Sequence, residues 1–250
     1  MAAEKTTAIV LRMIDFSETS AVVTLFTQDF GKITALAKGA YRPKGPFESA
    51  LDLLAVVRIL FLRKSTDALD LLTEAKLERR FRAASRNLTR LYAGYYVAEL
   101  LMELTDNGDP HPPLYAAAEA ALRALEGPAD AAGIVLRFEL AALQTLGHMP
   151  ALDECVSCSE PIEAEGRIPF GLLAGGVLCQ KCRPGQRQVI SLSSGCLLAL
   201  RRFAAEAEVN EIPDIERAVR GELRGVLNNY FSHLIGHKPR LVEYLTALAV

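Results

Sequence analysis

The sequence predicts a multidomain α+β protein: an N-terminal five-stranded β-barrel, then an α-helical domain into which a four-cysteine zinc finger is inserted. Three observations carry this prediction. Short runs rich in Val, Ile, Leu, Thr and Phe fill the first part of the chain. Helical periodicity takes over from Arg79. Two Cys-x-x-Cys pairs, Cys155-Val156-Ser157-Cys158 and Cys179-Gln180-Lys181-Cys182, interrupt the helical part. The boundaries expected are 1–78 for the barrel, 79–149 with 187–250 for the helical domain, and 150–186 for the metal module.

The strands come first. Residues 6–13, 20–27, 33–38, 55–62 and 68–75 have strand composition, and turn or polar residues such as Asp15-Phe16-Ser17-Glu18 and Gln28-Asp29-Phe30-Gly31 separate them. Five strands in so short a stretch suit a closed barrel, because closure leaves no edge strand. A five-stranded Greek-key barrel is the OB architecture. The pattern alone leaves an SH3-like barrel open. The longest connection lies between the third and fourth strands and contains Lys38-Gly39-Ala40-Tyr41-Arg42-Pro43-Lys44-Gly45-Pro46-Phe47. From Phe30 to Phe47 there are four basic residues, Lys32, Lys38, Arg42 and Lys44, and no acidic one. Gly and Pro disfavour a helix here. Cations along an extended loop, with Tyr41 and Phe47 beside them, suit the phosphates and bases of a single strand.

The helices follow. Phe81, Ala84, Leu88, Leu91, Tyr92, Tyr95 and Met102 recur at helical spacing, and Arg79, Arg82, Arg86 and Arg90 then share the opposite side as a second basic patch. Asn107-Gly108 and Pro110 mark a stop. Further helices are expected over 113–125 and 129–146, from Ser193 or Ser194 to 208, from 213 or 214 to 234, and over 240–249. Arg217, Arg220 and Arg224 share a face of the penultimate one, the usual pattern of a solvated stripe, with a DNA track as the minority reading.

The cysteine pairs carry the chemistry. Four thiolates at this spacing can stand at the corners of a tetrahedron, which suits Zn²⁺, a borderline-soft d¹⁰ ion. The expected ligands are Cys155, Cys158, Cys179 and Cys182, and with four sulfurs no position stays open for a catalytic water. Cys196 lies in an apolar run and reads as a small buried residue.

Other chemistry is missing from the sequence. Gly31-Lys32-Ile33-Thr34 lacks the upstream glycine of a phosphate loop, so no nucleotide site is indicated. None of the four histidines begins the His-x-Glu of a zinc deaminase. The reading is therefore not an enzyme. The net charge of −2 means that any anion-binding surface must be local. No apolar leader follows Met1 to Lys5, and Arg58 interrupts the longest apolar run, so a cytoplasmic protein without membrane contact is expected.

Three patches, taken in order, resemble the RecO family of bacterial recombination mediators. They are Thr24-Leu25-Phe26-Thr27 with Gly31-Lys32 and Lys38-Gly39-Ala40; Gly147-His148-Met149-Pro150-Ala151-Leu152 leading into Cys155; and Gly175-Gly176-Val177-Leu178 leading into Cys179. The resemblance implies an OB-fold domain followed by a helical domain with a zinc finger. It also implies binding of single- and double-stranded DNA, annealing of complementary strands, binding to RecR, action on DNA coated with single-strand-binding protein, and help in loading RecA. Neither nucleotide hydrolysis nor another enzymatic activity is implied. Lys38, Arg42 and Lys44 match the basic loop after the third strand. The family is often strongly basic; this chain is slightly acidic. A zinc-stabilised adaptor that binds only proteins is the alternative.

Overall fold

Alternating inward side chains on five paired strands build the first half of the computed structural model, which describes residues 2–43, 45–47, 50–64, 69–83, 87–205 and 216–245. The chain divides into two compact units, 1–129 and 130–250.

In the first unit the strands are β1 (Ala2–Ser17), β2 (Ser20–Thr27), β3 (Gly31–Ala37), β4 (Val56–Arg63) and β5 (Asp70–Arg79). They close in the order β1-β2-β3-β5-β4, with β4 returning to β1. Among these five strands the β3–β5 pairing is parallel and the other pairings are antiparallel. This is the predicted OB barrel, and its strand order, with β5 inserted between β3 and β4, resolves the choice between barrel types. Ala8, Val10, Val23, Leu25, Ile33, Ala35, Val57, Ile59, Phe61 and Leu72 fill the interior, as period-two alternation requires.

Two helices lie against the barrel in this unit, α1 (Leu88–Leu104) and α2 (Pro112–Leu125). The helix expected from Arg79 therefore begins nine residues later, at Leu88. Pairing with β4 holds the chain extended as far as Arg79, which stands opposite Val56. Asn87 then caps α1, its side chain accepting from the Thr89 amide at 2.8 Å. The far end of α1 is fixed by the Gly31-Lys32 pair. Gly31 has φ of +68°, and a Cβ there would meet the Asp109 carbonyl oxygen at 2.1 Å. Lys32 is half-buried and donates to the Met102 and Thr105 carbonyls at the end of α1, where an ammonium complements the helix dipole.

The second unit contains α3 (Ala131–Thr145), β6 (Arg167–Gly171), β7 (Gly176–Val177), β8 (Val189–Ser193), α4 (Ser194–Ala205), α5 (Arg217–Ile235) and α6 (Val242–Leu245). The small sheet β7-β6-β8 has no counterpart in the expectations above. Asp130 caps α3 through the Ala132 and Gly133 amides. Ser193 caps α4, its Oγ accepting from the Cys196 amide at 3.1 Å. Glu222 of α5 holds that corner by accepting from the Ser193 amide at 2.9 Å and from Arg167 at 3.0 Å. The expected arginine stripe on α5 is not a uniform solvated face. Arg224 turns inward to the fully buried Glu139, and Arg220 pairs with Asp130 at 3.1 Å. The expected helix continuations over 206–208 and 246–249, and the Arg217 side chain, lie outside the described residues.

Candidate metal centre and nucleic-acid interface

The sulfurs of Cys155, Cys158, Cys179 and Cys182 all lie within 4.8 Å of one another, and none forms a disulfide. Two tight turns bring them there. The Ser159 amide donates to the Cys155 carbonyl at 2.8 Å, with Ser159 in the left-handed region at φ of 58°. The Cys182 and Arg183 amides both donate to the Cys179 carbonyl at 3.1 Å.

The two sequence patches that flank the cysteines set these turns in register. Ala151 donates to the Gly175 carbonyl at 2.9 Å and accepts from the Val177 amide at 2.9 Å, while the Val156 amide donates to the Val177 carbonyl at 3.0 Å. Gly176 is required for this approach, since a Cβ there would meet the Ala151 carbonyl oxygen at 2.4 Å. Arg201 of α4 then anchors the first turn. Its guanidinium donates to the Leu152 carbonyl at 2.8 and 3.1 Å and to the Ile162 carbonyl at 2.6 Å, and pairs with Asp153 at 3.0 Å.

The donor set fits a tetrahedral thiophilic cation. Zn–S bonds of about 2.3 Å at tetrahedral angles separate sulfurs by about 3.8 Å, and Cys158 Sγ stands 3.8 Å from Cys179 Sγ. Burial pushes the Cys155 thiol up, but amides of Cys179, Ser157 and Cys158 outweigh it and bring the group down to about 6. Hydrogen bonds shared with Cys158 and Cys179 push Cys182 up to about 12. Four sulfurs this close resist joint ionisation unless a cation neutralises them. Cys196 lies apart from this cluster, buried at the start of α4, where burial pushes its thiol up to about 12.

The basic loop after β3 is also a built structure. The Tyr41 amide donates to the Thr19 carbonyl at 3.2 Å, the Gly39 amide to Ser20 Oγ at 3.3 Å, and the Tyr41 hydroxyl to Asp15. That last hydrogen bond pushes the Tyr41 hydroxyl upward in pKa. Successive turns follow, Arg42 amide to Gly39 carbonyl and Gly45 amide to Arg42 carbonyl, both at 3.1 Å. Lys38, Tyr41 and Arg42 are thereby brought together, exposed, beside the β1–β2 turn. Phe47 is buried in the barrel core instead.

The other expected DNA-binding residues are placed differently. Lys32 braces the end of α1. Arg79 belongs to β5 and pairs with Glu126 at 3.1 Å. The exposed Arg82 donates its amide to Glu126 at 2.6 Å. Arg90, on α1, donates to the carbonyls of Leu125, Pro128 and Ala129. Arg79, Arg82 and Arg90 thus gather about the end of α2 rather than along one helix face. Lys44 and Arg86 lie outside the described residues. Arg201 and Phe16, neither singled out by motif or spacing, join the sites. Phe16 stands exposed at the tip of the β1–β2 hairpin that holds the loop.

The chain is similar in sequence to known proteins over most of its length. The family model described as "Recombination protein O N terminal" matches residues 1–81, and "Recombination protein O C terminal" matches 85–242. DNA repair protein RecO of Rhodopirellula baltica is 43% identical, with 95% of this chain and 97% of the relative covered. The protein of the same name from Anaeromyxobacter sp. strain K is 34% identical, covering 96% and 95%. That of Myxococcus xanthus strain DK1622 is 32% identical, covering 97% of both.

Proposed function

Because the chain belongs to the RecO family of DNA repair proteins, we propose that it is a DNA-binding recombination mediator of the RecF pathway, without catalytic activity of its own. It binds single- and double-stranded DNA, anneals complementary single strands, and with RecR helps RecA load on DNA coated with single-strand-binding protein. It does so in the cytoplasm, at the nucleoid. No helix among the described residues is long and apolar enough to cross a membrane.

The observation that supports this reading best is the loop of Lys38, Tyr41 and Arg42. Among the described residues, neither cation has an acidic partner, and the loop backbone is fixed by hydrogen bonds to the hairpin. Preset cations next to an aromatic ring match a polyanion with bases. We assign the DNA contacts to this loop together with Lys44, with Arg82 and Arg86 as a second contact. Lys32, Arg79 and Arg90 act as braces of the first unit, since each is engaged within the fold. Cys155, Cys158, Cys179 and Cys182 would hold one Zn²⁺. When bound, the ion supplies structural stability alone, because four sulfurs complete its coordination.

One observation favours the adaptor alternative: the net charge is −2 and several arginines are engaged internally. Titration of labelled single-stranded DNA at several salt concentrations separates the two. The mediator binds, with an affinity that falls as salt rises, and K38A/R42A weakens binding to all sequences about equally. The salt slope of that variant drops by about 0.7 log units for each phosphate no longer neutralised. An adaptor shows no binding in this titration. A slope unchanged by K38A/R42A moves the DNA-binding surface off this loop.

A further inference from the structure

The four clustered sulfurs differ in their access to water. Cys155 and Cys179 are buried, Cys182 is half-buried and Cys158 is exposed. Cys158 lies in a run, Ser157 to Pro161, of which every residue is exposed. Oxidation of a cysteine follows its thiolate character and its access. Zinc ligation makes all four sulfurs thiolates, so access alone separates them, and it selects Cys158.

A second sulfur stands ready to resolve an oxidised Cys158. Cys179 Sγ, on the other Cys-x-x-Cys turn, is 3.8 Å away, against the roughly 2 Å of a disulfide. The metal module itself has little else to hold it together. Cys155, Leu178 and Cys179 are its buried centre, and Cys182 is among the partly buried side chains packed against them. Two of those three buried residues are ligands, so the fold of the module depends on the sulfurs staying gathered about an ion. Its first turn is also tied to the helices, since Arg201 of α4 grips the Leu152 and Ile162 carbonyls on either side of it. Cys196 is fully buried outside the cluster and has no such access.

We propose that the four-cysteine cluster is a peroxide-sensitive switch that opens at Cys158 and is reset by dithiols. The proposal rests on the zinc reading above and is independent of the DNA reading. The Cys158 thiolate attacks one oxygen of hydrogen peroxide. The O–O bond breaks, hydroxide leaves, and Cys158 becomes a sulfenic acid. The Cys179 thiolate then attacks that sulfur and expels the second oxygen as hydroxide. Two thiolates have lost two electrons, and the peroxide has been reduced to two hydroxides. Cys155 and Cys182 remain, two sulfurs where a structural zinc site has four ligands, and the ion is lost. The new disulfide keeps the two turns tied to each other. A dithiol that reduces it by exchange, becoming a disulfide itself, therefore regathers all four donors.

The test treats zinc-loaded, full-length protein with hydrogen peroxide beside a chromogenic zinc chelator. Wild type releases about one zinc per chain, and its melting temperature falls. Peptide mapping of the earliest oxidised species finds Cys158 joined to Cys179, with Cys196 unmodified. Dithiothreitol with added Zn²⁺ restores zinc content and melting. Cys158→His keeps a four-ligand set of a kind zinc accepts, retains zinc, and releases it at least about tenfold more slowly. Cys182→His, the same exchange at the half-buried position, releases zinc at close to the wild-type rate. Zinc held by wild type under excess peroxide overturns the switch. A first disulfide that excludes Cys158, or equal release by Cys158→His and wild type, overturns the role of Cys158. The wild-type map alone decides the point where Cys158→His holds no zinc. Wild type that never contains zinc removes the zinc reading itself.

Discussion

At the residue scale, single atoms decide the metal centre. Cys179→Ser removes one soft donor from a set of four sulfurs within 4.8 Å of one another, in which Cys158 and Cys179 already stand at the 3.8 Å separation a tetrahedral zinc requires. Zinc binding in small cysteine-rich modules is worth on the order of 10 kcal/mol. The expected outcome is a zinc content near one per chain in the wild type, a sharp drop in C179S, and lower thermal stability in the variant. Elemental analysis and melting check it; wild-type protein purified without chelator and free of zinc contradicts it. Arg201 makes a second case. Its planar fork serves the Leu152 and Ile162 carbonyls while pairing with Asp153. Arg201→Ala should cost about 2 kcal/mol in a denaturant melt, as loss of charged hydrogen bonds usually does. Arg201→Lys should rescue less than half, because an ammonium lacks the fork. Full rescue by lysine would reduce the residue to a simple charge. The cysteines were legible because their spacing is itself the ligand pattern. Arg201 was not, because carbonyls have no signature in a sequence.

At the element scale, the strands were legible where alternation and β-branched residues coincide, and they blurred where they do not. Residues 70–75 were legible as a strand, whereas Lys76-Leu77-Glu78-Arg79 have the composition of a helix, yet they continue β5 because β4 pairs with them as far as Arg79. Tertiary pairing overrode local propensity. The three-to-four-residue spacing of Arg79, Arg82, Arg86 and Arg90 therefore suggested a helix face that the strand and the following connection do not make. The Asn87 cap was the available signal for the true start of α1. The glycine-rich patches were legible as a family resemblance, while their cause needed the structure: Gly176 leaves room for the Ala151 carbonyl. Gly176→Ala should therefore dislodge the 149–152 segment and lower zinc retention under chelator challenge, even though every cysteine is intact. On α5 the outward-looking stripe hid an inward pair. Glu139→Ala leaves the Arg224 guanidinium, 11% exposed, without its buried carboxylate, a loss of roughly 3 kcal/mol or more. A urea melt showing less than about 1 kcal/mol would mean that water replaces the carboxylate there.

At the scale of the whole molecule, the two halves have different duties. The first unit carries the loop and the hairpin that would meet a single strand; the second carries four clustered cysteines, which would leave no open coordination position on a zinc held there. Annealing needs two strands brought together with their repulsion screened and their bases free to pair. Pairing itself then supplies the driving energy, so a protein that raises the local concentration of both strands suffices and no nucleotide is consumed. The loop of Lys38, Tyr41 and Arg42 is suited to hold one strand lightly, and its small number of cations permits release once the duplex forms. The most direct measurement is the annealing of complementary oligonucleotides coated with single-strand-binding protein, followed in time with and without this protein and without ATP. The account predicts faster annealing over a range of protein-to-DNA ratios. Annealing no faster at any ratio, or faster only when ATP is added, would contradict it.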